Sequence, residues 1–466
     1  MHSPSPTPSP PSTLAPPVPQ FSWAVQSVSA SSGDGSTLTC LAALPDGSLV
    51  AGGYFFTRVT LGSVILNGGT QNAFLARYDS SGNVLWAKAV VGGGSGNDND
   101  NGLNQIAVVG SDVVAVGFLS GQATFGPGEA NQTVVSSIGP LDFFIAHFDG
   151  TDGTLVSVKH VGGPGAQVWA NDGVAACTTD GSVVATTTVY TGSAVFGSGE
   201  PNQTTVSTAQ SDAVFARFNS DLTLAWARQT SSSSGSAASA ISVTALPDGS
   251  SVAVGAFGGT VTFGSGEAGQ TTLTATVGPT ANFYVTCLGP DGNLSWVRQL
   301  AGADPTGNGT CTVPDGSIVV SGLFQGPATF DPGGSDQVTL SPDTAFDAFL
   351  ARFDSSGTLL SAVDMGPGHA LGVTTLSNGT LLCAGDTQEE PHGLFLADVT
   401  PGGSPIDYDA YLSDPSGQVY TVGVVALPDG SAVLGGQFSQ ASFTLPGLST
   451  PLSPANQSEF FLARFR

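Results

Sequence analysis

A five-residue turn, Leu-Pro-Asp-Gly-Ser or a close variant, returns along this chain at Asp46, Asp180, Asp248, Asp315, Asn378 and Asp429, with a degenerate copy at Gly110-Ser111-Asp112. Counted from Gly110 for that copy, the successive gaps are 64, 70, 68, 67, 63 and 51 residues. Asp-Gly and Asn-Gly between apolar alternations are the strongest short-range hairpin signal, and the two-residue form of that turn requires positive φ at both central residues. A second marker follows each turn: Phe74-Leu75-Ala76-Arg77-Tyr78, Phe144-Ile145-Ala146-His147-Phe148, Phe215-Ala216-Arg217-Phe218, Phe349-Leu350-Ala351-Arg352-Phe353 and Phe461-Leu462-Ala463-Arg464-Phe465, with drifted copies at 284–288 and 395–399. A third carries tryptophan, at Trp86-Ala87-Lys88, Trp226-Ala227-Arg228 and Trp296-Val297-Arg298, and has drifted to Ser157-Val158-Lys159 in the second repeat. Each repeat therefore supplies about four short strands, the unit of a propeller blade.

The two ends are complementary. The chain stops at Arg466, just after the third strand of the seventh repeat, and the missing Trp-bearing strand stands at the front as Phe21-Ser22-Trp23-Ala24-Val25. A displaced fourth strand is what a ring needs in order to close by pairing its termini, and closure leaves no end blade exposed. The expected fold is all-β: a seven-bladed β-propeller of four-stranded blades over residues 21–466, closed by the N-terminal strand completing the last blade. Residues 1–20 hold eight prolines and no Asp, Glu, Lys or Arg, which reads as a stiff linker or stalk.

The repeat, with its Asp-Gly turn, its Asp-x-Phe-x-Ala-Arg-Phe strand and its Gly-x-Leu-x-Trp strand, resembles the bacterial SBBP-type seven-bladed β-propeller repeat. The sixth repeat departs most, with Gly393 and Asp398 where its siblings carry Asp or Asn and Arg. The resemblance implies an exported or surface-attached bacterial protein and no particular reaction. The N-terminus shows no signal peptide, Met1 being followed by His2 and a Pro/Ser run. A secreted or cell-surface location is the expectation, with the signal segment absent from this chain; a cytosolic protein is the alternative.

Composition excludes several partners. The 466 residues carry 35 carboxylates against 10 Lys plus Arg, a net charge of -25. Nucleic acid and anionic lipid are recognised through clustered cations, and this chain would repel both. With 40% apolar residues and 26 Phe the chain has ample material for a core, and no apolar run approaches the roughly 18 residues of a membrane span. A monomer without nucleic-acid or membrane partners is expected. Eight of the ten cations occupy two repeat positions, where their stems cover strands and their heads pair with nearby carboxylates. A carboxylate or amide recurs before the third-strand aromatic, at Asn72, Asp142, Asp212, Asn282, Asp347 and Glu459, and is expected to cap that strand start.

Functional groups that break the repeat lie in the loops between blades, around the channel mouth. Asp34, Asp98 and Asp100 belong to oxygen-rich, cation-free loops that suit Ca²⁺, and solvated turn carboxylates are the alternative. Trp169, Asn171, Asp172 and His369 form the candidate ligand site, with Trp169 as a stacking platform or a plug between loops. Longer segments after the second strands, such as 125–129, 196–200 and 263–267, read as an extra hairpin on that same face, widening the rim, with Thr, Gln and Asn suited to sugars. The surplus carboxylates are assigned to the same face. The five cysteines never form C-x-x-C; free buried thiols are expected, and Cys287 with Cys311 is the pair to inspect for a bridge. Three functions stay open: a non-catalytic binding or scaffold propeller for a carbohydrate or protein, a metal-assisted hydrolase or lyase using Asp98, Asp100, Asp172 and His369, and a structural adhesin domain.

Overall fold

A computed structural model describes residues 19–29, 34–92, 100–169, 173–176, 180–275, 282–302, 306–387, 393–400, 405–413, 419–439, 442–454 and 458–466. No helix occurs among them, and every sheet pairing between named strands is antiparallel. The four strands of a repeat pair in sequence order. The second repeat, Asn101–Val109, Asp112–Leu119, Asp142–Phe148 and Leu155–Val161, is one such sheet, and Thr306–Thr312 to Leu359–Pro367 and His369–Thr375 to Pro405–Ser413 are others. In the last repeat Glu459–Phe465 pairs on its far side with Phe21–Ser29, in the register Ala24↔Ala463 and Val25↔Leu462.

The Asp-Gly turn differs from the two-residue form. Only the glycine has positive φ, +82° at Gly47 and +86° at Gly249, while the aspartates stay in ordinary backbone. Leu44 N–H donates to Ser48 O and Gly47 N–H to Leu44 O, a tight turn closed by a left-handed glycine. Asp46 holds it, its Oδ1 accepting from Ser48 N at 3.0 Å and from Ser48 Oγ at 2.6 Å. The same pair of bonds recurs at Asp180, Asp315, Asn378 and Asp429. The third-strand arginine then closes on that aspartate, in Arg77–Asp46, Arg217–Asp180, Arg352–Asp315 and Arg464–Asp429.

Those hydrogen bonds, the serine hydroxyl first, hold the carboxyls of Asp46, Asp180, Asp248, Asp315 and Asp429 below their ordinary value. A depressed folded-state pKa contributes stability that is complete above the unfolded value of about 3.9 and is lost as pH falls through the folded value. Buried Glu459 is shifted the other way, upward by its burial, and so opposes the trend as a single group. The melting temperature is expected to be flat from pH 5 to 8 and to fall steeply below about pH 4; a scan that stays flat to pH 2.5 would contradict this.

The core lies between repeats. Each buried cluster draws on two consecutive repeats, as where Val116 and Phe143 meet Val183 and Phe196. One cluster joins the first repeat to the last, with Leu49 and Phe74 against Val433, Phe460 and Leu462, and the rings of Phe74 and Phe460 stack at 5.2 Å. Interfaces of this kind suit strands buried on both faces, which explains the apolar runs of second and third strands such as Val113–Val116 and Phe143–Ala146. The strand-start residues Asn72, Asp142, Asp212, Asn282, Asp347 and Glu459 are all buried. They cap as expected: Asp142 accepts from Ile138 N and Gly139 N, and Asp212 from Ser232 N. Cys287 and Cys311 are free thiols, as are Cys40 and Cys383, so the pair inspected for a bridge does not form one.

Candidate functional site

The first strand of each repeat is innermost. Ser36–Ala43 packs on Asn101–Val109, Ala237–Ala245 on Thr306–Thr312, that strand on His369–Thr375, and this on Val419–Ala426, which returns to Ser36–Ala43. Six of these strands carry a register shift at one position, for example between Leu38 and Cys40, Ala240 and Ser242, and Thr421 and Gly423. Such bulges bend a strand and re-aim its side chains. Together the bulged strands enclose an axial cavity of about 460 Å3.

Among the described residues its wall is polar and uncharged. Thr39, Gln105, Ser242, Thr310, Thr374 and Thr375 face it, interleaved with glycine and valine. Some hydroxyls bind neighbouring strands together: Thr39 Oγ1 donates to Leu103 O at 2.7 Å, Thr375 Oγ1 to Thr312 O at 2.9 Å, and the Ser242 and Thr310 hydroxyls meet at 3.1 Å. A hydroxyl that donates inward keeps lone pairs for an incoming donor. Cys40 and Cys311 share the wall, but burial pushes their thiols up to about 12 and about 11, so they present neutral S–H groups.

The residues singled out from the sequence fall elsewhere. Asp34 is buried and accepts from the Thr57 hydroxyl. Asp100 accepts from Thr70 Oγ1 at 3.1 Å. Each of these two carboxylates is held by a threonine from a different segment, and among the described residues no group of three or more His, Cys, Asp or Glu is placed to hold a metal ion. Asp98, Asn171 and Asp172 lie outside the described residues, as does the Trp169 side chain; the Trp169 backbone pairs with Thr188. His369 opens the first strand of the sixth repeat, its ring edge-on to Phe346 at 5.5 Å, and it does not line the axial cavity.

Two further expectations are corrected. The extra hairpins do not widen the channel mouth. Gln122–Phe125 pairs with the fourth strand of the preceding repeat, Val91↔Thr124, and Ala328–Phe330 pairs likewise with Leu294–Gly302. They run down the outside of the molecule, because a strand that leaves the second position can find a free edge only on the outermost strand next door. Glu129 and Glu200 at their tips take the lysine of that strand, Lys88 at 2.6 Å and Lys159 at 2.7 Å. Nor, among the described residues, do all the surplus carboxylates gather at the mouth. Asp46, Asp180, Asp248, Asp315 and Asp429 on the first turn of the repeat, with Asp79, Asp149, Asp221, Asp291 and Asp354 on the last, project from the other end of the sheets.

The cavity-lining hydroxyls escaped the sequence reading because they sit inside the repeat pattern. Their trace is the Thr/Ser content of some first strands, in Thr39-Cys40-Leu41, Ser242-Val243-Thr244 and Thr310-Cys311-Thr312.

No family model matches the chain. Over 151 residues, 30% of this chain and 11% of the relative, it is 28% identical to the uncharacterized WD repeat-containing protein L264 of Acanthamoeba polyphaga mimivirus. The chain thus spans only a small part of that relative. Among solved structures it is similar to a protein of unknown function from Dyadobacter fermentans (10% identity, TM-score 0.43, 97% of this chain and 100% of that one). It is also similar to the C-terminal WD40 domain of Sif2 (11%, 0.43, 96% and 98%) and to the Dos1 propeller (10%, 0.44, 96% and 94%). Four-stranded repeats standing side by side around an axial cavity make this chain a β-propeller repeat protein.

Proposed function

We propose that this protein is a non-catalytic binding propeller of seven blades, closed by Phe21–Ser29, which takes a neutral glycan chain at its axial channel. The uncharged, hydroxyl-lined cavity carries the reading. Hydroxyls, an amide and small apolar side chains match a ligand that both donates and accepts hydrogen bonds and bears no charge. The net charge of -25 disfavours polyanionic ligands at every face. The ionisable groups support the same view, since eight of the ten cations face a carboxylate within 4 Å, four in their own repeat and four in the next.

Equivalent contacts on both sides of the terminal junction support closure. Trp23 Nε1 donates to Ser80 O at 3.0 Å, as Trp86 does to Gly150 O, Trp226 to Pro290 O and Trp296 to Ser355 O. Arg464 reaches Ser80 O as Arg77 reaches Gly150 O. Phe21–Ser29 pairs with the hairpin of the first repeat, Val28↔Thr60, as the fourth strands of the first and fourth repeats do with the next hairpin. Export to a bacterial surface on the Pro-rich stalk is part of the proposal and rests on the resemblance of the repeat.

Gly423 lines the channel, and a Cβ built there meets nothing within 4 Å. Gly423→Trp should therefore fill the channel without disturbing its wall. Neutral oligosaccharides on a glycan array should bind the wild-type protein and lose at least tenfold in affinity with the variant, at unchanged melting temperature. Glycan binding indifferent to Gly423→Trp would remove the axial site.

A further inference from the structure

The hairpins leave clefts between them. One of about 370 Å3 lies on the fourth strand of the third repeat, between that repeat's own hairpin strand, Thr204–Thr208, and the hairpin tip of the fourth repeat. A smaller one of about 210 Å3 occupies the corresponding place one repeat earlier. The two are built from matching residues: Arg228 and Lys159 on the fourth strand, Glu267 and Glu200 on the tip, Ser265 and Ser198 beside them. The larger volume falls in the usual range of small-molecule sites, about 300–1,000 Å3.

The ion pair distinguishes them. Lys159 and Glu200 are clamped at 2.7 Å, whereas Arg228 Nε stands 3.8 Å from Glu267 Oε1. The Arg228 guanidinium leans on two backbone carbonyls, Ala227 O and Asp291 O, both at 3.2 Å, and lies over the Trp226 ring. Glu267 spends its other oxygen on Leu294 N at 2.6 Å. A donor and an acceptor thus stand side by side in a cleft without being consumed by one another. Gln229 fixes one wall, its amide bonding both Ser207 N and Ser207 O.

We propose that this cleft is a second, peripheral glycan site in which a vicinal diol bridges Arg228 and Glu267, with the Lys159–Glu200 cleft as a tighter-held, weaker copy. One hydroxyl of a diol donates to the carboxylate while the oxygen of the next accepts from the guanidinium, a reciprocal match of charge-assisted bonds. An anion meets Glu267 and the net negative charge of the molecule, and a cation meets Arg228. Val206 and Leu288, both buried in the core, close the floor of the cleft. The proposal takes its ligand class from the axial reading but stands on a different site.

The same array separates the two. Neutral oligosaccharides are titrated against wild type, Arg228→Met, Glu267→Gln, Lys159→Met and Gly423→Trp. Methionine keeps the stem over Trp226, and glutamine keeps an acceptor for Leu294 N, so the fold is retained; melting temperatures check this. Arg228→Met and Glu267→Gln should each cost at least tenfold at one class of sites, the double variant no more than the worse single one, and Lys159→Met should remove only a weaker class. Loss with Gly423→Trp and none with the cleft variants would overturn the peripheral site and leave the axial one. Loss with the cleft variants alone would do the reverse. Binding of free amino acids instead of sugars, or no glycan binding at all, would overturn the peripheral site.

Discussion

A chain lacking residues 1–30 should melt roughly 5–10 °C below one lacking residues 1–20, which should melt with the intact protein. The first deletion removes Phe21–Ser29, among the described residues the only strand paired with Glu459–Phe465 on its outer side. Phe21 packs at 5.2 Å on Phe465, Trp23 and Val25 pack into the cluster between last and first repeats, and Glu459 loses both Ser27 Oγ and Ser29 N. Three large side chains at about 1.5–3 kcal/mol each give roughly 5–8 kcal/mol, a large share of the about 5–15 kcal/mol that holds a typical fold. The second deletion takes the Pro-rich segment, whose eight prolines supply no backbone N–H to a sheet ladder. Differential scanning calorimetry of the two truncations decides it. Trp23→Ala should lie between them, since it removes the indole and its bond to Ser80 O while leaving the strand. Equal melting temperatures for the two truncations would show that the N-terminal strand does not close the ring.

Exchanging two residues between neighbouring repeats should give the second large effect. Where a fourth strand carries tryptophan, the indole lies on the glycine of the next repeat's last turn: Trp86 on Gly153, Trp226 on Gly292 and Trp296 on Gly357, each at positive φ with no room for a Cβ. Trp23 lies on Gly82 in the same way. The second repeat has Ser157 in place of the tryptophan, and the third repeat has Leu222 in place of the glycine, at φ +62° and 1% exposed. Leucine in the left-handed region is strained, and it is tolerated here because its side chain fills the space the indole occupies elsewhere. Leu222→Gly should relieve the backbone yet open a cavity, for a net loss of about 2–3 kcal/mol. Ser157→Trp alone should overpack against Leu222 and cost about 1–3 kcal/mol. The double variant rebuilds the arrangement of the other junctions and should be at least as stable as wild type. Urea denaturation of the four proteins measures the coupling, and additive losses would refute the exchange.

Much of the architecture could be read before any coordinates. The Asp-Gly turn spacing delimited the repeats, the third-strand Phe-x-Ala-Arg-Phe marked the strand that is paired on both sides, and Trp23 identified the first strand as a fourth strand displaced from the far end. These signals are local: a turn needs its glycine, a buried strand its apolar run. The caps at Asp142 and Asp212 were legible for the same reason, since a strand start leaves nearby N–H groups to satisfy.

The candidate site was not legible in this way. Thr39, Thr310 and Thr375 occupy ordinary repeat positions, and nothing in their own neighbourhoods says that their strands gather around one cavity. Asp34 and Asp100 stood out as carboxylates of oxygen-rich, cation-free loops, and in three dimensions each meets a threonine hydroxyl from another segment. The hairpin tips likewise read as channel-mouth decoration, although Glu129 and Glu200 reach lysines 41 residues away on the preceding repeat.

Sequence alone determined the repeat, its all-β character, the strand that each marker occupies and the net charge, because periodicity and turn chemistry act over a few residues. Tertiary structure alone decided where the charge sits, which strand edge the hairpins find, and which hydroxyls share a cavity. Those depend on how one repeat is rotated against the next, and that rotation is set by the packed layer between repeats, where Leu222 and Ser157 can trade places with glycine and tryptophan without changing the pattern of either strand.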